Sequence, residues 1–239
     1  MIEVIGISKY FGKKKALSDI DFVLNDGEVT ALIGENGAGK STLMRIMCGY
    51  LAPSAGKVTI YGHDVESERM KALQHIGYVP EIASLYGDML VYDFLSWMAN
   101  LWQIKNPSQA IAQTAKQMKI TDVLTQKIDS LSKGYKKRVQ IASAILHTPK
   151  FLILDEPTDG LDPNQKYDIR MFLQNYAKEH IVLVSTHVLE DVDGADKVLM
   201  LSEGKIIQNT ALADFKKISK HKNLGEAFRI LSQQKRGQK

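Results

Sequence analysis

Residues Gly34-Glu35-Asn36-Gly37-Ala38-Gly39-Lys40-Ser41-Thr42 fit the phosphate-loop pattern G-x-x-x-x-G-K-[ST], and few folds can present such a loop. It needs a buried strand before it and a helix start behind it. Val29 to Ile33 supplies a short apolar, partly β-branched run, and Leu43, Ile46 and Met47 recur at helical spacing before Gly49 and Pro53 stop the pattern. Glycines let the backbone curl so that its N–H groups point at the β- and γ-phosphates, while the helix N-terminus adds partial positive charge and Lys40 a full one. Ser41 then offers its hydroxyl to Mg²⁺. The chain is expected to bind a nucleoside triphosphate.

At 239 residues there is room for one sizeable α/β core with an inserted subdomain. Apolar content of 44% and charged content of 24% are those of a soluble globular protein. No apolar run approaches the roughly 18 to 20 residues of a membrane span. Met1-Ile2-Glu3-Val4-Ile5 opens as a strand rather than a secretory leader, so a cytoplasmic protein is expected. The one cysteine, Cys48, falls in the helix after the phosphate loop, where small core packing is its expected use. The net charge of +4 is localised: residues 214–239 carry eight Lys or Arg and two acids, leaving 23 basic and 25 acidic residues elsewhere. This tail, with Lys216, Lys217, Lys220, Lys222, Lys235, Arg236 and Lys239, suits plain solvation or contact with anionic lipid. Within it Leu224, Ala227, Phe228 and Leu231 keep helical spacing, which predicts a short helix folded back on the body.

Along the chain, Met1 to Ile5, Ile20 to Leu24 and the strand entering the phosphate loop read as one antiparallel sheet, with Asn25-Asp26-Gly27 as a hairpin turn. Between about residues 90 and 145 the character changes to a helical insertion in which Phe94, Leu95, Trp97, Met98, Leu101 and Trp102 form a wide stripe. Trp97 and Trp102 are expected in its core. From Lys150 strands and helices alternate again: Phe151 to Leu154, a helix around Gln165 to Tyr176, Ile181 to Val184, a helix around Leu189 to Gly194, then Val198 to Leu201 turning at Glu203-Gly204 into Lys205 to Gln208. Continuous apolar strands of this kind are buried on both faces, as parallel strands are.

A second constellation concentrates chemistry. Phe151-Leu152-Ile153-Leu154 is a buried strand ending in two acids, Asp155 and Glu156. In a parallel α/β sheet the carboxyl ends of the strands open onto the ligand crevice, so Asp155 is expected beside the phosphate loop, where a carboxylate holds Mg²⁺ through water. Glu156 then faces an attacking water as general base. Leu131-Ser132-Lys133-Gly134-Tyr135 opens another helix with a hydroxyl, a flexible glycine and free N–H groups, which makes an anion site. His187 follows an apolar strand and reaches the same sheet edge.

The ordered set of phosphate loop, Leu131-Ser132-Lys133-Gly134-Tyr135, Leu154-Asp155-Glu156-Pro157, Gly160-Leu161-Asp162 and Ser185-Thr186-His187 resembles an ABC-type ATPase over nearly the whole chain. The resemblance implies an α/β P-loop NTPase fold: a RecA-like parallel core sheet, an N-terminal antiparallel β-subdomain and an inserted α-helical subdomain. The ATPase domain is expected to span residues 1–213, with 214–239 as a basic tail. The resemblance also implies ATP and Mg²⁺, and a head-to-tail homodimer in which each ATP lies between one subunit's phosphate loop and the other's signature sequence. By matched position, Phe11 stacks on adenine, with Tyr10 the neighbouring candidate. Gly34, Asn36, Gly37, Ala38, Gly39, Lys40, Ser41 and Thr42 surround the phosphates, and Ser41 and Asp155 hold Mg²⁺. Ser132 and Gly134 contact the γ-phosphate across the dimer, Asp162 links the two sites, and His187 contacts γ-phosphate and supports Glu156.

Two positions depart from the family pattern. The usual glutamine after the strand ending at Pro80 is Glu81, a carboxylate still able to accept hydrogen bonds from Mg²⁺-bound water. The usual Leu-Ser-Gly-Gly-Gln has become Leu131-Ser132-Lys133-Gly134-Tyr135. With Leu85-Tyr86 and the run from Asp159 to Gln165, these resemble the ABC-2 exporter branch, including ATPases labelled gliding-motility-associated or multidrug. The implied role is an ATPase subunit driving a separate membrane permease, whose cytoplasmic helix docks near Glu81 to Tyr92, with the chain peripheral on the inner face of the cell membrane. The alternative is a soluble ABC ATPase without a permease, as in cluster assembly. DNA-repair members carry long coiled coils between their ATP motifs, whereas Lys40 and Asp155 are 115 positions apart, so no nucleic-acid partner is expected. A kinase or GTPase would leave Ser132-Lys133-Gly134 and His187 unexplained.

Overall fold

Two strand patterns divide the chain between two sheets. The computed structural model describes residues 1–82, 85–220 and 223–236. Strands β1 (Ile2–Phe11) and β2 (Lys14–Leu24) form a hairpin in register Ile2 to Leu24 and Phe11 to Lys14. β2 alternates, burying Ile20, Phe22 and Leu24 and exposing the residues between them, as a strand with one wet face does. β3 (Val29–Ile33) is buried throughout. After it come α1 (Lys40–Met47), β4 (Ala55–Ile60), β5 (His63–Asp64), α2 (Arg69–Leu73) and β6 (Ile76–Val79). Helices α3 (Val91–Leu101), α4 (Pro107–Gln117) and α5 (Lys133–Ile145) precede β7 (Phe151–Asp155), α6 (Pro163–Ala177) and β8 (Ile181–Thr186). The order ends with β9 (Lys197–Ser202), β10 (Lys205–Ala211), α7 (Leu212–Lys217) and α8 (Leu224–Arg236).

The smaller sheet is antiparallel with order β2-β1-β4-β5, and the larger runs β10-β9-β3-β8-β7-β6, parallel except for its β10 edge. This corrects the expected sheet membership of the strand entering the phosphate loop. β3 pairs with β8 and β9, and Asn25-Asp26-Gly27 carries the chain from one sheet to the other instead of closing a hairpin. The second sheet's surroundings take up the amides there: Gly27 N–H donates to the His180 carbonyl at 3.2 Å, and Val29 N–H to the Asp196 carboxylate at 2.9 Å.

Alternate residues of the parallel strands feed opposite layers. Phe151 and Ile153 pack with Leu183, Leu199, α1 and the antiparallel sheet. Leu152 and Leu154 pack with Val182, Val184 and helices α3 to α6. Phe151 is fully buried, which removes apolar area worth about 2 to 3 kcal/mol. Cys48 sits inside the first of these layers, and burial pushes its thiol well above the ordinary range, as suits packing.

Three sequence expectations need amendment. The helix expected over Leu189 to Gly194 is a single 3₁₀ turn, Leu189–Val192, ended by Gly194 at φ 104°. Trp97 is not in the core: it is 40% exposed and meets Tyr86 edge-on at 5.2 Å. Trp102 is half-buried and stacked on His147 at 3.7 Å. The C-terminal segment packs closely, with Phe215 and Ala227 fully buried, and Leu224, Phe228 and Leu231 lie against the layer of Ala31, Ile33 and Met200. Among its lysines, Lys216 pairs with Asp193 at 2.9 Å and Lys217 with Asp214 at 2.6 Å. Lys222 and Lys239 lie outside the described residues.

Candidate active site

Four adjacent parallel strands, in spatial order β3-β8-β7-β6, end at one edge of the larger sheet. Register places Ile33 beside Thr186, Asp155 beside Ser185, and Val79 beside Leu154. Whatever follows each strand therefore lines up along that edge. The followers are the phosphate loop, His187, Glu156 and Glu81. They border a cleft of about 640 Å³ lined by Asn36, Gly37, Gly39, Lys40, Ser41, Thr42, Glu81, Asp155, Glu156 and His187.

The loop's glycines are needed for two separate reasons. Gly37 and Gly39 sit at φ 81° and 111°, the left-handed region that turns successive N–H groups inward. Gly34 lies so close to β9 that an added Cβ would stand 2.3 Å from the Leu201 carbonyl oxygen. Ala38 is buried behind the loop and its carbonyl accepts from Gly204 N–H at 3.0 Å. Lys40 is buried, with Nζ donating to the carbonyls of Gly34 at 2.8 Å and Glu35 at 3.4 Å. Burial pulls its ammonium below the ordinary lysine range, opposed by Glu156 and then by Asp155 and Glu81.

Glu156 carries the most constrained backbone of the edge. It is buried and held at φ 48°, a conformation non-glycine residues rarely take, while its N–H donates to Ser185 O at 3.0 Å. Its carboxylate is gripped from both sides of His187: Nδ1 lies 2.8 Å from Oε1, and the His187 backbone N–H donates to Oε2 at 3.4 Å. The Thr186 hydroxyl oxygen accepts from Val188 N–H at 3.0 Å, which fixes the turn carrying the imidazole. Ser41, Asp155 and Glu81 add hard oxygen donors to the same cleft. Among the described residues no three His, Cys, Asp or Glu side chains cluster tightly enough to cage a metal. The donor set instead fits Mg²⁺ sharing its coordination with phosphate and water.

The remaining expected residues fall into two groups. Phe11 ends β1 at the cleft, 49% exposed, with Lys9 Nζ 5.4 Å from its ring centroid. Tyr10 is absent from the lining and faces Lys15. Ser132, Gly134 and Asp162 do not line the cleft. Ser132 is the exposed N-cap of α5, its hydroxyl accepting from Tyr135 N–H at 3.4 Å, and Asp162 caps α6 by accepting from the N–H groups of Asn164 and Gln165, both at 3.0 Å.

A sequence model of the family described as "ABC transporter" matches residues 17–159. The chain belongs to that family. A probable multidrug ABC transporter ATP-binding protein, YbhF of Escherichia coli (strain K12), is 31% identical over 219 residues, covering 90% of this chain and 38% of that protein. The chain thus spans well under half of that relative's length. The ABC transporter ATP-binding protein NatA of Bacillus subtilis (strain 168) is 30% identical over 237 residues, covering 95% of this chain and 96% of NatA. A solved ATP-binding subunit of an ABC transporter superimposes with a TM-score of 0.87 at 27% identity, covering 97% of this chain and 99% of the other. The fold is that of the ABC cassette, a P-loop NTPase, and the class is that of an ATP-binding ABC ATPase.

Sequence reading of this ABC cassette overlooked five cleft residues: Lys14, Lys15, Ala16, Glu203 and Gly204. The first three arrive on β2 from the other sheet, and the last two on the β9–β10 turn. Gly204 joins these parts, with its carbonyl accepting from Ser18 N–H at 2.8 Å and its N–H donating to the loop. An added Cβ there would stand 2.5 Å from the Ala16 carbonyl oxygen. The Glu203-Gly204 turn was visible in sequence; its contact with the phosphate loop was not.

Proposed function

We propose that this chain is the ATP-hydrolysing subunit of a membrane exporter, working as a head-to-tail homodimer on a separate permease. The supporting observation is that the phosphate-loop cleft holding Glu156 and His187 is lined by neither Ser132 nor Gly134 of its own chain. Phe11 takes the adenine face, and the loop from Gly34 to Thr42 takes the phosphates. Ser41, Asp155 and Glu81 would hold Mg²⁺, which when bound would screen phosphate charge. Glu156 accepts a proton from the attacking water as its oxygen bonds to the γ-phosphorus and the bond to the β–γ bridging oxygen breaks, leaving ADP and inorganic phosphate. His187 orients that carboxylate and reaches toward the γ-phosphate. Ser132 and Gly134 close the site from the second subunit, and Asp162 contacts across the same seam. Closure excludes water around the phosphates, and hydrolysis releases the pair.

The permease's cytoplasmic helix would dock between the Glu81-to-Tyr92 segment and α3, where exposed Tyr86 and Trp97 stand; residues 83 and 84 lie outside the described residues. That docking puts the chain on the cytoplasmic face of the membrane. Among the described residues no helix is long and apolar enough to cross a membrane. Any lipid contact of the basic tail would fall to Lys220 and its neighbours, since Lys216 and Lys217 are ion-paired.

The test is Glu156→Gln. Turnover should fall about a hundredfold while ATP affinity holds within about twofold, and ATP should trap a dimer visible by size exclusion. Unchanged steady-state hydrolysis would remove Glu156 from its role, and a persistent monomer with ATP bound would remove the dimer.

A further inference from the structure

The segment joining Glu156 to α6 is tied to the first turn of α5 by two contacts within one subunit. Lys133 Nζ donates to Asp159 Oδ2 at 3.1 Å. The same side chain lies across Gly160, where an added Cβ would stand 1.9 Å from Nζ. One residue along, the buried Gly134 faces the side chain of Gln165, which an added Cβ would meet at 2.6 Å. Gly134 therefore has a reason to be glycine inside its own subunit.

Asp159 is in turn linked to Glu156, because its N–H donates to the Glu156 carbonyl at 3.3 Å. A continuous set of contacts runs from the Ser132 cap through Lys133 and Asp159 to the strained Glu156 turn. Lys133 holds the Asp159 carboxyl below the usual carboxylate range, helped by His187 and Lys137. Both side chains are more than half exposed, at 59% and 58%, so the pair does little for folding stability. Its geometry matters more than its strength. The glycine usual at this point of the family's signature could not make the bridge.

We propose that Lys133 is a positioning residue whose bridge to Asp159 couples the anion-binding end of α5 to the turn carrying Glu156, so that the two nucleotide sites of a dimer report to each other. This rests on the head-to-tail reading above. When a second subunit's nucleotide engages Ser132 and Gly134, the displacement reaches Glu156 through one ion pair. The bridge is contained in each chain and needs no contact of Lys133 with phosphate.

Charge reversal separates these roles. Lys133→Met and Asp159→Asn should each lower kcat by about threefold to tenfold and bring the Hill coefficient for ATP toward one, with ATP affinity within about twofold. The exchange Lys133→Asp with Asp159→Lys should recover at least about half of the lost rate. Thermal unfolding of each variant checks that the fold persists. Unchanged turnover and cooperativity in Lys133→Met would overturn the proposal. So would impairment of Lys133→Met alone, or failure of the exchange to rescue, since either would place Lys133 on phosphate instead. ATP-dependent dimerisation in a Glu156→Gln background is read in parallel: its absence counts against the dimer, whereas its presence with an indifferent Lys133 counts only against the bridge.

Discussion

At the phosphate loop, Lys40 is buried, hydrogen-bonded to two carbonyls, and surrounded by Asp155, Glu156 and Glu81. At the N-terminus of α5, Ser132 is exposed and Lys133 keeps most of its side chain in solvent. Both are helix starts with a glycine and a cation, and both can receive an anion. They differ in preorganisation. The first is held by backbone contacts from three directions, namely β3, the β9–β10 turn and its own helix, so its shape exists before any ligand arrives. The second is held by side chains instead: the Ser132 hydroxyl, the exposed Lys133–Asp159 pair, and the Tyr135 hydroxyl donating to Asp122 at 2.7 Å. In the head-to-tail dimer proposed above, a site fixed by backbone would face one fixed by side chains, an arrangement suited to a switch driven by ligand binding.

Lys40→Ala should break this contrast most severely. With its charge gone from a buried position lined by acids, ATP affinity or turnover should drop by about a hundredfold or more, read by nucleotide titration and phosphate release. Ser132→Asn sharpens it. Asparagine caps a helix as well as serine does, so stability should hold within about 0.5 kcal/mol. Turnover should still fall roughly tenfold, with ATP binding to the isolated subunit unchanged. An equal loss of binding would mean that Ser132 serves its own subunit's nucleotide.

The smallest effect concerns the scaffold that carries α5. Asp168 on α6 accepts from Lys119 at 2.9 Å and from Arg138 of α5 at 2.8 Å. Lys119 first, then Arg138, keeps its carboxyl below the usual carboxylate range. A depressed carboxylate contributes stability above its unfolded value near pH 4, and that contribution fades as pH falls through the folded value. Asp168→Asn should cost no more than about 1 kcal/mol at pH 7, with the gap to the parent closing below about pH 4 in chemical denaturation.

Most of the cleft was legible because each of its strands carries its chemistry in the residues that directly follow. Asp155 and Glu156 come straight after one continuous apolar run and His187 follows another with Ser185 and Thr186 between, and such runs are parallel strands whose ends share an edge. The error over β3 has the same physics behind it. Asn25-Asp26-Gly27 has hairpin composition, but β2 alternates and β3 does not, and a strand buried on both faces cannot continue a sheet with one wet side. Lys14, Lys15 and Glu203 were illegible as site residues. They come from another sheet and a remote turn, and the packing of Gly204 against Ala16 and Ala38, with Gly39 against Ala16 and Leu17, brings them to the loop. Trp97 kept the helical period of the buried stripe yet faces outward with Tyr86, because periodicity marks a face without saying what covers it.

The place of β3 in the larger sheet bears on how the protein is made. Its two neighbours are β8 and β9, and β9 ends about 170 residues later in the chain. At roughly 5 to 20 residues per second, the nascent phosphate loop waits on the order of 10 to 30 s for the strands that shape it. During that interval the ribosome holds a chain bearing the nucleotide-binding motif without the two strands that flank it in the sheet. Translation arrested before Ser202 should yield a product that ATP cannot protect from protease.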